Sequence, residues 1–345
     1  MIPERYNKNN LKSVIMNPRK GLRRILAEFN RTIIKWHFKM KFGNGINIME
    51  EDWDNLIILD SCRYDKFELI NELDGDLDWK ISKASHSKEF YKENFPSEEY
   101  HDVVYATANP YGIAICGNKF HESVSTFSGD ITYDFQKQRV DTVTTENGEI
   151  LLDRHVKNLL PGHLTNMAIE LYDRNPNKKL IVHYMQPHKP YLSTYAEMLR
   201  KKLMQDNNVA FDRFMTVDQI NNSDKNVIRD LMHAAMSNII SPQELNKLYD
   251  QNLRIVLDHV EYLLSHIQGK TVITADHGEL LGELRGGQRF NHHEKLYCQE
   301  LRKIPFHTLQ IGKRRQTWEE KPKKKFIRDI SDLNNQLSLL GYKSK

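Results

Sequence analysis

The residues best suited to chemistry stand side by side in the segment "VITADHGELLGE", residues 272–283. An apolar run there ends in Asp276 and His277, which are followed by a glycine. A carboxylate next to an imidazole is poor packing material, but the two side chains are good ligands for a hard or borderline divalent cation. The segment therefore predicts half of a metal site, whose other half must come from elsewhere in the chain.

Two earlier segments offer a further ligand and a nucleophile. In "NLIILDSCRYD", Asp60 ends an apolar run, where a helix N-cap is the alternative to a metal ligand. In "SKASHSKEF", Ser87 opens a helical segment, whose free N–H groups favour anions. A serine hydroxyl that also contacts a cation loses its proton more easily and becomes a nucleophile. Ser85 is the competing nucleophile, and simple helix capping is the alternative for Ser87.

Histidines occur in two more segments. "HYMQPHKPY" contains His183 and His188, and its prolines force the chain out of a sheet and stiffen it. "NHHEKLYCQE" contains His292 and His293 shortly after the Asp276–His277 pair. An isolated histidine is more often a surface residue than a ligand, so these assignments depend on whether the segments meet in space.

The apolar runs in front of these residues predict how the segments meet. Four such runs, rich in β-branched residues, are predicted to be buried strands: 55–60, 102–109, 179–188 and 271–278. Helical segments are predicted between and around them: 63–73, 88–95, 161–173, 225–238 and 242–267. This alternation predicts an α/β fold with a doubly wound, mainly parallel central sheet and helices on both faces. Ligands bind outside the carboxyl ends of such strands, where Asp60, His188 and the Asp276–His277 pair are expected.

The chain is predicted to have three parts. Residues 1–48 form a basic, amphipathic, helical segment, and residues 49–312 form the catalytic α/β domain. Within that domain, the polar stretch 192–225 is expected to be a lid or an insertion. Residues 313–345 form a basic linker and a C-terminal helical tail.

The N-terminal segment is strongly basic. From Lys8 to Lys41 there are ten Lys or Arg residues, and the only acid is Glu28. Apolar residues in "LRRILAEFNRTIIKWHFKM" stand near helical spacing. A helix of this kind either packs on its own domain with a solvated basic face or binds an anionic membrane surface or an anionic polymer. Both interpretations remain open from the sequence, and the second predicts peripheral membrane contact through residues 8–41.

Composition restricts the class of protein. The 345 residues are 39% hydrophobic and 28% charged, as in an ordinary globular enzyme, and the net charge of +4 is too small to indicate nucleic-acid binding. Three cysteines without a CxxC pair favour a reducing compartment. No apolar run approaches the roughly 20 residues that span a bilayer, and no signal-peptide pattern opens the chain. The prediction is a cytoplasmic location, with peripheral membrane contact as a variant of it.

The order of these motifs resembles the alkaline phosphatase superfamily in its sulfatase-like branch. The resemblance covers about residues 50 to 310 and rests on "LIILDSCRYD", "SHSKEF", "VHYMQPHKPY", "TADHGE" and "HHEKLY" followed by "ELRKIP". It implies a doubly wound α/β fold with a metal site at the strand ends. It also implies an enzyme that cleaves or transfers phosphate, phosphonate or sulfate ester groups through a covalent intermediate.

The resemblance assigns roles to individual residues. The implied metal ligands are Asp60, Ser87, Asp276 and His277. The implied catalytic residues are Ser87 as nucleophile, His188 and His293 at the transferred group or the leaving oxygen, and Arg63. His183 and His292 are the weaker candidates, and Arg63 is expected to brace the site rather than to touch substrate.

The sequence departs from the family pattern in two places. Sulfatases that use a formylglycine carry C-x-P-x-R or S-x-P-x-R at the nucleophile, whereas Ser87 is followed by "KEFY". An unmodified serine acting on a phosphorus ester therefore fits better. Two-metal members carry a D-x-x-x-H pair, but Tyr184 stands four residues before His188. We expect one divalent cation, zinc or manganese, with calcium or magnesium as alternatives.

The prediction for function is a metal-dependent hydrolase or transferase of phosphate or phosphonate esters that works through a covalent serine intermediate. Its substrate is expected to be an anionic ester on a glycan or a lipid headgroup. The alternatives are a sulfuric ester hydrolase of the same family and a catalytically silent relative that binds an anionic glycan or lipid. A nucleic-acid partner is not expected, because no recognition module or interleaved basic and aromatic pattern is present.

Overall fold

The structure is a computed structural model that describes residues 18–96, 99–126, 140–145, 148–153, 160–206, 208–211, 224, 226–283 and 289–322. The predicted C-terminal helix lies outside the described residues. The helices are α1 (Pro18–Phe42), α2 (Tyr64–Ile70), α3 (Ser87–Asn94), α4 (Pro110–Cys116), α5 (Pro161–Arg174), α6 (Thr194–Asp206), α7 (Leu231–Met236), α8 (Pro242–Leu264) and α9 (Gln299–Arg302). The strands are β1 (Asn55–Leu59), β2 (Asp76–Ile81), β3 (Tyr100–Thr107), β4 (Phe120–Ser125), β5 (Val140–Thr145), β6 (Gly148–Asp153), β7 (Lys179–Tyr184), β8 (Val209–Phe211), β9 (Asn226–Ile228), β10 (Gly269–Ala275), β11 (Leu280–Leu281), β12 (Phe290–Asn291) and β13 (Lys303–Ile311).

A seven-stranded sheet forms the centre of the molecule, in the order β2-β13-β10-β1-β7-β3-β4. The five strands from β10 to β4 are parallel, and β13 runs antiparallel to both β10 and β2. The predicted mainly parallel α/β sheet is therefore confirmed. Because β10, β1 and β7 are adjacent and parallel, the residues that follow them lie at one edge of the sheet.

Helices cover both faces of the sheet. Along β1, Ile57 and Leu59 face one apolar core that contains residues of α2, α5 and α8, whereas Leu56 and Ile58 face a second core with residues of α3 and α4. Alternation of side chains along a strand explains why a strand that is buried on both faces is continuously apolar. Each face of the sheet thus has its own core.

Two of the predicted segments flank this domain. Within the segment predicted to be helical, residues 1–48, the described part contains α1, the 25 residues Pro18–Phe42. The stretch 192–225 contains α6 and β8, which pack in a third apolar cluster with α7 and part of α8, and residues 212–223 lie outside the described part. In the described part of the chain, no helix has both the length and the apolar character that crossing a membrane requires.

Candidate functional site

Three buried residues meet where the adjacent strands β10, β1 and β7 end. Asp60 follows β1, and Asp276 follows β10. His183 is the second-last residue of β7 and pairs with Ile58 of β1. The Nε2 atom of His183 lies 3.7 Å from Oδ2 of Asp60 and 4.0 Å from Oδ2 of Asp276. The strand ends therefore bring two carboxylates and an imidazole together in a region without exposure to solvent.

This group of three has the composition of a cation site. One ligand atom from each of the three residues lies within 4.8 Å of the others. Two of these atoms, Nε2 of His183 and Oδ2 of Asp276, are buried without a hydrogen-bond partner among the described residues. Burial, together with the nearby Asp276 carboxylate, holds the pKa of Asp60 well above its usual range. A divalent cation would compensate the two carboxylates and use the free lone pairs, so the residues fit a metal.

Ser87 is the first residue of α3 and points its hydroxyl at this group. Its Oγ donates to Oδ2 of Asp60 at 3.3 Å and lies 3.2 Å from Nε2 of His277. The other ring nitrogen of His277 lies 2.8 Å from the carbonyl of Gly278, which fixes the orientation of the ring. The structure thus brings together the four residues predicted as ligands: Asp60, Ser87, Asp276 and His277.

Ser85, the competing nucleophile, has a different environment. Its Oγ donates to the carbonyl of His293 at 2.8 Å and accepts from the backbone N–H of Leu296 at 3.1 Å. It also lies 3.1 Å from a carboxylate oxygen of Glu89. These contacts tie the segment after His292 to the start of α3, so Ser85 has a structural role in this geometry.

A second serine at the site was not identified from the sequence. Ser61 has a left-handed backbone, with φ of 61°, and its N–H donates to Oδ1 of Asp276 at 2.9 Å. Its Oγ donates to Oδ1 of Asp60 at 2.9 Å. Ser61 therefore links the two carboxylates and leaves their Oδ2 atoms directed at the other residues of the group.

A second group of candidate ligands adjoins the first and comprises His188, Glu279 and His292, all of them buried. Nδ1 of His292 lies 3.2 Å from Oε1 of Glu279, and its ring centre is 4.5 Å from that of His277. Burial lowers the pKa of both His188 and His292, so the rings are neutral and able to act as ligands. The sequence led us to expect one cation, whereas the structure holds two adjacent groups with the composition of cation sites.

Asn252 of α8 holds the loop that carries His188. Its side-chain amide donates to the carbonyls of Pro187, His188 and Pro190 at 3.0 to 3.1 Å. Its Oδ1 accepts from the N–H of Leu192 at 2.9 Å. One buried amide thus satisfies four backbone groups of a loop that has left the sheet, and it fixes the position of His188.

Arg63 contacts acidic groups rather than the metal ligands. Its guanidinium pairs with Asp65 at 2.7 Å and with Glu283, and it donates to the carbonyl of Glu279 at 3.3 Å. These contacts agree with the bracing role that the resemblance implied. In the described part of the chain, no hydrogen bond or ion pair joins the Arg63 side chain to Asp60 or Asp276.

His293 lies apart from the two groups. Its backbone carbonyl accepts from Ser85, but in the described part of the chain no hydrogen bond or ring contact joins its imidazole to either group. His292, rather than His293, lies at the second group. Its ring centre is 5.1 Å from that of His188 and 5.0 Å from that of His86. The ring of His86 also stacks on His277 at 6.2 Å, so His86 adds an imidazole that sequence reasoning missed.

Two further residues at the site were missed, although the sequence held a signal for each. The amide of Asn109 donates to Oδ2 of Asp60 at 2.5 Å. Asn109 ends a predicted strand, which is the criterion that selected Asp60. Glu279 stands in the quoted motif "TADHGE", and burial raises the pKa of its carboxyl to about 8.

A chain of phenols lies behind His183. Its Nδ1 is 2.6 Å from the hydroxyl of Tyr91, which is 3.0 Å from the hydroxyl of Tyr105. Gly112 of α4 packs against both hydroxyls, and a Cβ atom at that position would overlap them. This close approach orients His183 from outside the site, as supporting hydrogen bonds do for metal-binding histidines.

Comparisons with known proteins give structural matches only. No protein-family model and no curated protein sequence matches the chain. The phosphonate monoester hydrolase SpPMH from Silicibacter pomeroyi matches with a TM-score of 0.43 and 13% identity, over 83% of this chain and 72% of that one. The C-terminal periplasmic domain of the phosphoethanolamine transferase EptC from Campylobacter jejuni matches with a TM-score of 0.41 and 12% identity, over 74% and 78%. The corresponding zinc complex of EcEptC from Escherichia coli matches with a TM-score of 0.32 and 14% identity, over 78% and 76%.

These matches correct one prediction. The expected cytoplasmic location is contradicted, because the matched EptC structures from both organisms are periplasmic domains. The cysteine count could not distinguish the compartments, since a chain without disulfides is stable in either of them. We assign no location to this chain.

The matched structures are members of the superfamily that the order of motifs resembles. At these identities the likeness concerns the fold, and the chemistry has to be inferred from the site itself. The described residues form a mainly parallel α/β sheet with helices on both faces, which is the fold class that the sequence predicted.

Proposed function

We propose that the chain is a metal-dependent enzyme that transfers or hydrolyses phosphate or phosphonate esters through a covalent intermediate on Ser87. One observation carries the proposal. The Ser87 hydroxyl lies within 3.3 Å of both Asp60 and His277, beside a buried group whose composition fits a cation. A hydroxyl in this position, at the N-terminus of α3, is placed to attack an anionic ester.

A divalent cation, when bound, would supply charge that lowers the pKa of a neighbouring hydroxyl and neutralises an oxygen of the ester. Asp60, His183, Asp276 and His277 would hold it. Ser87 gives its hydroxyl proton to the Asp60 carboxylate, to which it already donates at 3.3 Å. Its Oγ attacks the phosphorus in line and forms the new P–O bond, while the bond to the leaving oxygen breaks and that oxygen takes up a proton. Water or an acceptor alcohol then releases the group from Ser87.

The second group serves the leaving oxygen in this proposal. His188 and His292 are neutral through burial, and Glu279 retains a proton at neutral pH because its pKa is about 8. Glu279 is in contact with His292 at 3.2 Å, so a proton given up by the imidazole is replaced from the carboxyl. In this proposal the His292 imidazole is the proton donor, and the Glu279 carboxyl restores its proton.

An anionic substrate larger than the ester group itself is supported by a groove that borders α3, the helix that begins at Ser87. The groove has a volume of about 630 Å³ and lies between α1 and the segment 294–297. Six basic residues and three acids, Glu89, Glu93 and Glu294, line it. Four of the basic residues have no ion pair among the described residues: Lys35, Lys39, Lys83 and Lys295. Their charge favours a substrate with further anionic groups, such as a charged glycan or a lipid headgroup.

Turnover of simple esters tests the proposal. Chelated protein is supplied with zinc or manganese and assayed with an aryl phosphate, an aryl phosphonate monoester, a phosphodiester and an aryl sulfate. We expect turnover of at least one phosphorus ester, a phosphorylated Ser87 peptide in mass spectra of quenched enzyme, and no turnover by Ser87→Ala. Ser265→Ala, which changes an exposed serine after α8, is the matched control.

Two results would contradict the proposal. The first is absence of turnover with every ester and metal by a protein that is folded and metal-loaded, which is the result expected of a silent binding relative. The second is turnover of the aryl sulfate alone, which would favour sulfuric ester hydrolysis.

A further inference from the structure

Helix α1 exposes a row of large apolar side chains. The exposed fractions are 62% for Phe29, 47% for Ile33, 64% for Trp36 and 70% for Met40. Their spacing of four, three and four residues places them within an arc of about 60° on the helix surface. We refer to these four residues as the apolar stripe. Exposed apolar patches of this kind mark interaction sites in soluble proteins.

The opposite side of α1 attaches the helix to the domain. Phe38 is only 6% exposed, and its ring centre lies 5.8 Å from that of Tyr297. Phe42 packs edge-on against Trp79 at 6.4 Å. The apolar stripe lies roughly 190° around the helix from these two phenylalanines, so it faces away from the domain. Packing within the described part of the fold therefore accounts for Phe38 and Phe42 but not for the stripe.

After Phe29, the charged residues of α1 are all basic. Between Phe29 and Phe42 there are four basic residues and no acid: Arg31, Lys35, Lys39 and Lys41. Lys39 and Lys41 lie on opposite sides of the stripe, roughly 90 to 110° from its centre. Lysines in these positions can extend along a surface and bring their ammonium groups to anionic headgroups, while apolar side chains enter the acyl boundary.

We propose that α1 docks on an anionic lipid bilayer through the apolar stripe, with its lysines on the phosphate groups. A tryptophan at the centre of the stripe suits the interface between headgroups and acyl chains. Docking would also hold the lysine-lined groove, which α1 shares with the segment 294–297, close to the bilayer surface. This interaction goes beyond the proposed ester chemistry and does not require it.

Vesicle binding by the full chain tests the proposal. Co-sedimentation is measured with vesicles of equal parts phosphatidylglycerol and phosphatidylcholine, and with vesicles of phosphatidylcholine alone. We expect binding to the anionic vesicles, weaker binding at high salt, and a blue shift of Trp36 fluorescence. A Phe29→Ser/Trp36→Ser variant should lose about tenfold or more in its partition coefficient, because both side chains would no longer leave water.

A matched control removes two apolar side chains of similar exposure elsewhere. Leu69 is 74% exposed and Trp318 is 51% exposed, so Leu69→Ser/Trp318→Ser should bind vesicles as the unaltered chain does. Circular dichroism and thermal unfolding verify that both double variants are folded. The Ser87→Ala protein should also bind vesicles, which separates a failure of the proposed function from a failure of docking.

Three results would overturn the proposal. They are absence of binding by the unaltered chain, equal binding by Phe29→Ser/Trp36→Ser, and equal losses in the two double variants. A lipid-free dimer that dissociates in Phe29→Ser/Trp36→Ser, without vesicle binding by the unaltered chain, would show instead that a second copy covers the stripe.

Discussion

Substitution of three serines by alanine separates the nucleophile from its neighbours. Ser61, Ser85 and Ser87 all lie at the site, but only the Ser87 hydroxyl contacts both Asp60 and Nε2 of His277. We expect Ser87→Ala to reduce turnover by at least ~10³-fold, which corresponds to about 4 kcal/mol of activation free energy. The loss is large because alanine removes the atom that forms the covalent bond.

The other two serines give smaller effects of a different kind. Ser85→Ala leaves the N–H of Leu296 without its acceptor and the carbonyl of His293 without its donor, which should lower the free energy of unfolding by about 2 kcal/mol. Ser61→Ala retains the backbone N–H that binds Asp276, and it loses the Oγ hydrogen bond to Asp60 at 2.9 Å together with two longer Oγ contacts of 3.5 Å, to Nδ1 of His277 and of His292. We expect it to lose about tenfold in turnover at most, or roughly 1.4 kcal/mol.

The assay is turnover of a phosphorus ester at saturating metal, with thermal unfolding measured on the same samples. Turnover is expressed per folded, metal-loaded molecule, so that loss of stability is not counted as loss of catalysis. Full activity of Ser87→Ala, combined with an inactive but folded Ser85→Ala or Ser61→Ala, would refute the assignment of the nucleophile.

Further predictions concern the metal, the pH dependence and the loop of His188. Asp276→Ala should bind less metal by elemental analysis than Asp258→Ala, a surface control, and equal contents would contradict the ligand role. Burial raises the pKa of Glu279 from 4.5 to about 8, so its proton stabilises the metal-free fold below about pH 4.5 and this contribution is lost as pH rises through 8. In denaturant titrations of chelated protein, the free energy of unfolding of Glu279→Gln should therefore vary less with pH over that window than that of the unaltered chain. An equal pH dependence in the two proteins would contradict this prediction. Asn252→Ala leaves four backbone groups unsatisfied and should lower the free energy of unfolding by about 3 kcal/mol in urea titrations; a change below about 0.5 kcal/mol would contradict this.

The centre of the sheet could be predicted because its strands are buried on both faces. The apolar run before Asp60 was predicted as 55–60 and is β1 (Asn55–Leu59), and the run before Asp276 was predicted as 271–278 and is β10 (Gly269–Ala275). Strand β2 (Asp76–Ile81) was missed because it lies at the edge of the sheet and most of its side chains are exposed or half-buried. An edge strand lacks the continuous apolar signal on which the prediction rested.

The site residues that the sequence could not predict are those whose roles depend on contacts between distant segments. Asp60 and Asp276 could be predicted to meet because parallel strands end at one edge of a sheet. Nothing in the local pattern distinguishes His292 from His293, since the choice depends on how a loop of the structure turns toward Glu279. Ser61 was equally hidden, because its role depends on a left-handed backbone rather than on its residue type.

The packing of Gly112 against Tyr91 and Tyr105 has a consequence for how this protein can vary. A single methyl group added to α4, at a residue remote from the ligands, would displace the phenol that is hydrogen-bonded to His183. The imidazole would then lose the hydrogen bond that orients its Nε2 atom toward the two aspartates. Activity could thus be abolished with every ligand in place, and a survey of the ligands alone would miss the cause.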